Sequence, residues 1–250
     1  MTMTLHYGFE NFPTNISTVV TIGSFDGVHS GHRELVAHLQ AMAERMGAES
    51  VIVTFDPHPR IAMGRAEGMG LLTTIEERAT LLAMLGVDHL VVAHFDEKFR
   101  MQSYADFVRC SLVEKLNMVG MIVGYNHRLG RSSEGNYDNL QPLSRECGFA
   151  LECVGQYCAE GHKTSSTEVR KVIARGDMEL AATMLGHRYL VQGGACNGVL
   201  EVGEHKLLPP VATYPVTIYH LDKTESATVT VSGRTILFEK PLSGNIILEM

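Results

Sequence analysis

One stretch of this chain concentrates residue types that handle phosphate. It reads Thr21-Ile22-Gly23-Ser24-Phe25-Asp26-Gly27-Val28-His29-Ser30-Gly31-His32. Its three glycines let a backbone turn sharply and approach a ligand closely. His29 and His32 stand three apart at the start of a predicted helix, so both can point toward whatever lies at its N-terminus. There, unpaired N–H groups and the positive end of the helix dipole favour an anion. Imidazole N–H groups donate to phosphate oxygens, most strongly when charged. A second segment, Ser165-Ser166-Thr167-Glu168-Val169-Arg170, puts hydroxyls at another helix start with Arg170 one turn further in. Alone it reads as a capping box with a solvated arginine; beside the first motif it reads as a second phosphate cradle. Rival motifs fail. The chain has no Gly-x-Gly-x-x-Gly, and Gly161-His162-Lys163-Thr164 carries one residue too many between glycine and lysine for a P-loop. Zinc on His29 and His32 needs a third convergent ligand, and only Asp26 is near, so no protein-held metal is expected.

These segments need a scaffold, and the hydrophobic period supplies one. Apolar runs at Val19–Ile22, Val51–Phe55, His89–Ala93, Met118–Val123 and Phe149–Val154 predict five strands. Helical spacing lies between them: Leu35, Leu39, Met42, Ala43 and Met46 up to Gly47, a helix around Ile75, Leu82 and Leu85, one from Tyr104 to Leu116, and one over Tyr137–Cys147. Thr73 with Glu76 predicts a capping box, and Ser103 an N-cap. Pro57–Gly70 and Gly124–Gly135 read as loops. Strands alternating with helices predict an α/β fold on a five-stranded parallel sheet, with ligands at the carboxyl ends of its strands. Thr167–Gly186 predicts two short helices. Past Tyr189 the texture changes to alternation, at Val211–His220 and Ala227–Phe238 around a Ser232-Gly233 turn. Two domains are expected, 1–188 and 189–250, the second a small antiparallel β domain.

Composition narrows the function classes. Of 250 residues, 45% are apolar and 20% charged, ordinary for a globular chain, so wholesale disorder is excluded. A net charge of −7 argues against nucleic acid or an anionic membrane as the main partner. Five cysteines, an odd number without a Cys-x2-Cys pair, suggest free thiols in a reducing compartment. The first residues lack the pattern of a signal sequence, and no run reaches the roughly 18 apolar residues of a membrane helix. A cytoplasmic location is expected, as a monomer or weak homo-oligomer acting on small molecules.

Together, Gly23-x-Phe25-Asp26-Gly27-x-His29-x-Gly31-His32 resembles the HxGH signature of Rossmann-like nucleotidyltransferases, in the form found in bacterial FAD synthetases. The resemblance runs from about residue 15 to 190. It takes in Thr54-Phe55-Asp56-Pro57-His58-Pro59, Leu71-Leu72-Thr73, Gly86-Val87-Asp88, Gly124-Tyr125-Asn126-His127-Arg128-Leu129-Gly130, Ser165–Arg170 and Leu185-Gly186 with Arg188-Tyr189. It implies an FMN adenylyltransferase that uses ATP, Mg²⁺ and FMN and releases FAD and pyrophosphate. His29, His32 and Arg170 would be catalytic. ATP would meet Gly23, Ser24, Phe25, Asp26, His29, Gly31, His32, Ser165, Ser166, Thr167 and Arg170. FMN would meet Pro57, His58, Pro59, Asn126 and Arg128.

Two departures stand out. The family usually flanks the arginine of its flavin-proximal loop with aromatics, where this chain has His127 and Leu129. Its bifunctional members continue into a riboflavin kinase barrel with a Gly-x-Pro-Thr-Ala-Asn motif, whereas 61 residues follow Tyr189 here and that motif is missing. The β segment is therefore expected to be a shortened remnant without kinase activity. Two other functions stay open: adenylyl transfer to another phosphate acceptor (phosphopantetheine, a nicotinamide mononucleotide or an alditol phosphate), and non-catalytic binding of flavin or adenine nucleotide.

Overall fold

A computed structural model describes residues 3–66, 68–125, 134–155, 158–159, 162–221 and 223–250. The chain divides into two compact units. One comprises Met1–Phe25, Gly31–Ala66 and Ala79–Cys158; the other comprises Asp26–Ser30, Glu67–Arg78 and Ala159–Met250.

The first unit is built on a sheet of β1 (Thr4–Tyr7), β2 (Thr18–Ile22), β3 (Glu49–Asp56), β4 (His89–His94), β5 (Met118–Gly124) and β6 (Ala150–Val154). The spatial order is β1-β4-β3-β2-β5-β6, and every pairing is parallel. Six strands stand where five were expected. The additional β1 is short and its side chains are mostly exposed, so it carries no buried pattern to read; the backbone of β4 supplies its ladder. The five predicted strands are all present. Val20, Val53, Val91, Met121 and Val123 join Leu112, Leu116 and Leu140 in one core.

From β2 the chain moves outward through β3 and β4, then returns to the other side of β2 as β5. That reversal puts the end of β2 at the sheet's topological switch point, the usual place for a ligand crevice. Helix α1 (Ser30–Met46) begins eight residues after Ile22 and lays Val36, Leu39, Met42 and Ala43 inward. Gly120 of β5 leaves room for it, since a Cβ there would stand 2.8 Å from Met42 Cε.

Shorter helices follow in α2 (Pro59–Ala62), α3 (Ile75–Met84), α4 (Glu97–Met101), α5 (Tyr104–Asp106), α6 (Glu114–Leu116) and α7 (Tyr137–Cys147). The helix predicted from Tyr104 to Leu116 is continuous but passes through a π turn at Phe107–Val113, with Ser103 as its N-cap. The capping box of α3 sits one residue later than predicted. Thr74 N–H donates to Glu77 Oε2 at 2.9 Å, and Glu77 N–H donates to Thr74 Oγ1 at 3.2 Å. Thr73 is engaged elsewhere, as described below.

The minimal strands β7 (Cys158–Ala159) and β8 (His162–Lys163) precede α8 (Ser166–Ala174) and α9 (Met178–Leu185). The C-terminal β segment is a closed antiparallel barrel. Its strands are β9 (Leu190–Cys196), β10 (Val199–Glu201), β11 (Ala212–His220), β12 (Lys223–Ser232), β13 (Thr235–Phe238) and β14 (Gly244–Glu249), in the order β10-β13-β12-β11-β14-β9. Tyr189 and Met250 exchange backbone hydrogen bonds at 3.1 and 2.9 Å where β9 meets β14. Val191, Leu200, Val216, Ile218, Val229, Val231, Ile236 and Leu248 fill its interior and share one core with Val169, Ile173 and Leu185. Among the described residues, no helix is long and apolar enough to cross a membrane.

Candidate functional site

The loop after β2 is shaped by backbone conformations that side chains disfavour. Phe25 lies at φ 46°, Gly27 at 84° and Val28 at 40°, all left-handed. For a β-branched residue such as Val28 this costs on the order of 1–3 kcal/mol, and it persists only where the surroundings dictate it. In the first unit, Gly23 N–H donates to Val53 O at 3.0 Å and Thr54 Oγ1 donates to Ser24 O at 3.0 Å. The buried Phe25 ring lies 4.8 Å from the ring of half-buried His32, on the first turn of α1.

Within the second unit, Asp26–Ser30 is fastened at Asp26, Gly27 and Ser30. Asp26 is wholly buried. Its carboxylate accepts the Leu72 N–H at 3.1 Å, the Thr73 N–H at 2.9 Å and the Thr73 hydroxyl at 3.2 Å, and it pairs with Arg170. The Ser166 hydroxyl donates to the Asp26 carbonyl at 3.0 Å. Gly27 N–H donates to Thr73 Oγ1 at 3.0 Å, and Gly27 O lies 3.0 Å from His187 Nε2. The Ser30 hydroxyl donates to Met184 O at 2.6 Å. These contacts hold the strained loop in one shape.

The cluster is rich in charge. Arg170 Nε donates to Gly70 O at 2.8 Å while its other end pairs with Asp26. Arg78, 2% exposed, reaches the same carboxylate at 3.9 Å, and Lys206 is paired with Glu77 at 2.6 Å. Arg170, Arg78 and Lys206 thus gather around the carboxylates of Asp26 and Glu77. Arg170 alone of the five keeps appreciable contact with solvent, at 14% exposure. A part-exposed guanidinium near the start of α8 suits an anionic ligand.

His29 is buried, and burial lowers its imidazole to about 4; Arg170 and His187 add to the lowering, which Asp26 opposes only in part. At neutral pH it is an uncharged imidazole, not the imidazolium that would bind phosphate most strongly. Its preorganised N–H is still a donor.

Ser165, Ser166 and Thr167 stand at the start of α8 as expected. Ser165 Oγ accepts the Glu168 N–H at 3.3 Å, so it caps the helix, and Thr167 is exposed. In the first unit, Pro57, His58 and Pro59 form the entry to α2, with His58 Nδ1 accepting the Arg60 N–H at 3.2 Å. Asn126 and Arg128 lie outside the described residues. Among those described, no group of three His, Cys, Asp or Glu side chains is placed to hold a metal ion.

The sequence reading missed Thr73, Arg78, His187 and Lys206 as parts of this cluster. Leu71-Leu72-Thr73 did carry a signal through the resemblance. Arg78 and Lys206 carry none, because a buried charge is recognisable only by a partner distant in sequence.

Comparison with known proteins identifies the family. The family model described as FAD synthetase matches residues 12–168. A Geobacillus thermodenitrificans protein described as a bifunctional riboflavin kinase/FMN adenylyltransferase is 39% identical over 170 residues, covering 68% of this chain and 89% of that protein. The Escherichia coli K12 bifunctional riboflavin kinase/FMN adenylyltransferase is 33% identical over 180 residues, covering 72% of this chain but 58% of the relative. A solved structure described as a macrolide-efflux protein from Streptococcus pneumoniae superposes with a TM-score of 0.85 at 20% identity, covering 99% of this chain and 89% of that one. It is a likeness of fold alone. With the HxGH loop at the switch point, a matched family model over more than half its length and relatives of this identity, the chain belongs to the FAD synthetase family.

Proposed function

We propose that this chain is an FMN adenylyltransferase. A phosphate oxygen of FMN attacks the α-phosphorus of ATP; a new P–O bond forms, the bond to the β-phosphate bridge breaks, and FAD and pyrophosphate leave. No covalent enzyme intermediate is needed, so the protein contributes position and charge neutralisation. Mg²⁺ travels with ATP on its phosphate oxygens and waters, as a hard cation favours. The observation that carries the reading is the guanidinium of Arg170, on the first turns of α8, held by Gly70 O and the carboxylate of buried Asp26 with an edge left to solvent.

In this reading the Gly23–His32 segment, with Ser24, Phe25, Asp26 and Gly31, cradles the nucleotide. His29 and His32 donate to the triphosphate. Ser165, Ser166, Thr167 and Arg170 take its terminal phosphates. Pro57, His58, Pro59, Asn126 and Arg128 meet the flavin nucleotide. The identity of the relatives supports the assignment.

The test is mass spectrometry of the product formed by purified protein with ATP, Mg²⁺ and FMN. FAD with stoichiometric pyrophosphate is expected, and riboflavin in place of FMN should give no FMN. His127 and Leu129, which replace the usual aromatics, favour a second reading with another phosphate acceptor. A pyrophosphate-release screen in which FMN ranks below another acceptor would establish it. Nucleotide binding with no pyrophosphate release from any acceptor would make the chain a binding protein instead.

A further inference from the structure

Lys206 lies between β10 and β11, buried to 2% exposure, and spends all three of its ammonium hydrogens on separate chain segments. Nζ donates to Leu72 O, to Glu77 Oε2 and to Leu190 O, each at 2.6 Å. It also sits 4.2 Å from the centre of the Tyr189 ring. The backbone beside it is clamped as well: Leu71 N–H donates to His205 O at 2.6 Å, and Leu207 N–H donates to Leu71 O at 2.8 Å. Glu77 in turn accepts the Thr74 N–H and, through Oε1, the Gln192 N–H at 2.9 Å.

A buried ion pair is poor evidence for stability as such, because well-packed apolar side chains often serve as well. What this one does that apolar groups cannot is satisfy two backbone carbonyls and a carboxylate at fixed positions. The Leu72 residue whose carbonyl it holds presents its N–H to Asp26, as does Thr73. The path from Lys206 to Arg170 is thus three contacts long: ammonium to Leu72, Leu72 to the Asp26 carboxylate, carboxylate to guanidinium.

We propose that Lys206, with Glu77, is a positioning residue for the reaction, fixing the Leu72–Thr73 peptides that hold Asp26 and, through it, Arg170 and the His29 loop. The kinetic part of this inference rests on the adenylyltransferase reading; the structural part does not. It gives the C-terminal β segment a task in nucleotide binding that does not require kinase activity.

The test compares wild type, Glu77→Gln and the double variant Lys206→Met with Glu77→Gln, which removes both charges and so leaves neither unpaired. In the double variant, amide exchange at Gly27, Leu72 and Thr73 should accelerate about tenfold or more relative to Val191 and Leu248 in the barrel. The KM for ATP should rise about tenfold, and the KM for FMN should stay within about twofold. Glu77→Gln keeps the ammonium on both carbonyls and should recover most of the ATP affinity. Unchanged exchange at Leu72 and Thr73, or equal acceleration across the whole barrel without a selective ATP effect, overturns the proposal. If the double variant does not fold, the wild type still decides. Leu72 and Thr73 amides must then exchange as slowly as Val191, and exchange at the rate of exposed loops rejects the idea. Should wild type make no FAD, the reaction assignment falls, while the exchange pattern still judges the role of Lys206.

Discussion

Arg170 closes on Asp26 from the solvent side: the carboxylate is fully enclosed, and the guanidinium retains an exposed edge. The carboxylate also holds two backbone amides and faces Arg78. Removing its charge breaks the buried pair with Arg170 at a fully enclosed site, so Asp26→Asn should destabilise the fold by about 3–5 kcal/mol, read from urea unfolding. Arg170→Lys keeps the charge but loses the fork that spans Gly70 O and Asp26. FAD formation should fall by about 10²-fold, with a smaller loss of stability. A lysine variant within twofold of wild type would refute the arginine's assigned role.

His29 sets a pH dependence. Its imidazole is lowered by burial to about 4 from an ordinary 6.5, so the unfolded chain binds its proton more readily than the folded one. Its neutral folded form therefore favours folding at higher pH, and that contribution fades as pH falls from about 6.5 toward 4. Between pH 7 and pH 5 this amounts to roughly 2 kcal/mol. In His29→Gln, the gap between urea stabilities at the two pH values should shrink by about that amount. An undiminished gap would assign the effect to other groups.

Gly27 is confined twice over. Its φ is 84°, and an added Cβ would meet Leu72 Cδ1 at 2.7 Å and Leu185 Cδ2 at 3.3 Å. Gly27→Ala therefore combines a left-handed penalty with overpacking, about 2–4 kcal/mol in total. Thermal unfolding should show a clear fall in midpoint, and ATP binding measured by calorimetry should weaken as the loop is displaced.

Two adjacent threonines should separate cleanly. Thr74 caps α3, so Thr74→Ala should cost about 1 kcal/mol and leave the KM for ATP nearly unchanged. Thr73 Oγ1 instead accepts the Gly27 N–H and donates to Asp26. Thr73→Val should raise the KM for ATP several-fold at a similar loss of stability. Equal kinetic effects of the two changes would contradict this division of labour.

The parts of the fold written in local pattern were legible. The five strands β2 to β6 are apolar runs, and the end of β2, from which the first motif follows in the chain, is the switch point of the sheet. The strand β1 escaped because its exposed side chains carry no burial pattern. The capping box was misplaced because Thr73-Thr74 and Glu76-Glu77 offer two registers with equal spacing. The choice between them is made by Asp26, which claims Thr73 from 47 residues away. His29 was read as a group best charged, because residue type gives the ordinary pKa while burial is set by tertiary packing. Lys206 and Arg78 looked like any surface cations.

The seam between β9 and β14 has a consequence for self-association. A closed ring of strands leaves no rim of unpaired amides and carbonyls for a second molecule to zip onto. The parallel sheet, in contrast, ends in β1 on one side and β6 on the other among the described residues. Domain exchange or fibrillar stacking that begins at the barrel must first break the six-pair ladder that joins Leu190–Ala195 to Gly244–Glu249, so the barrel resists that route.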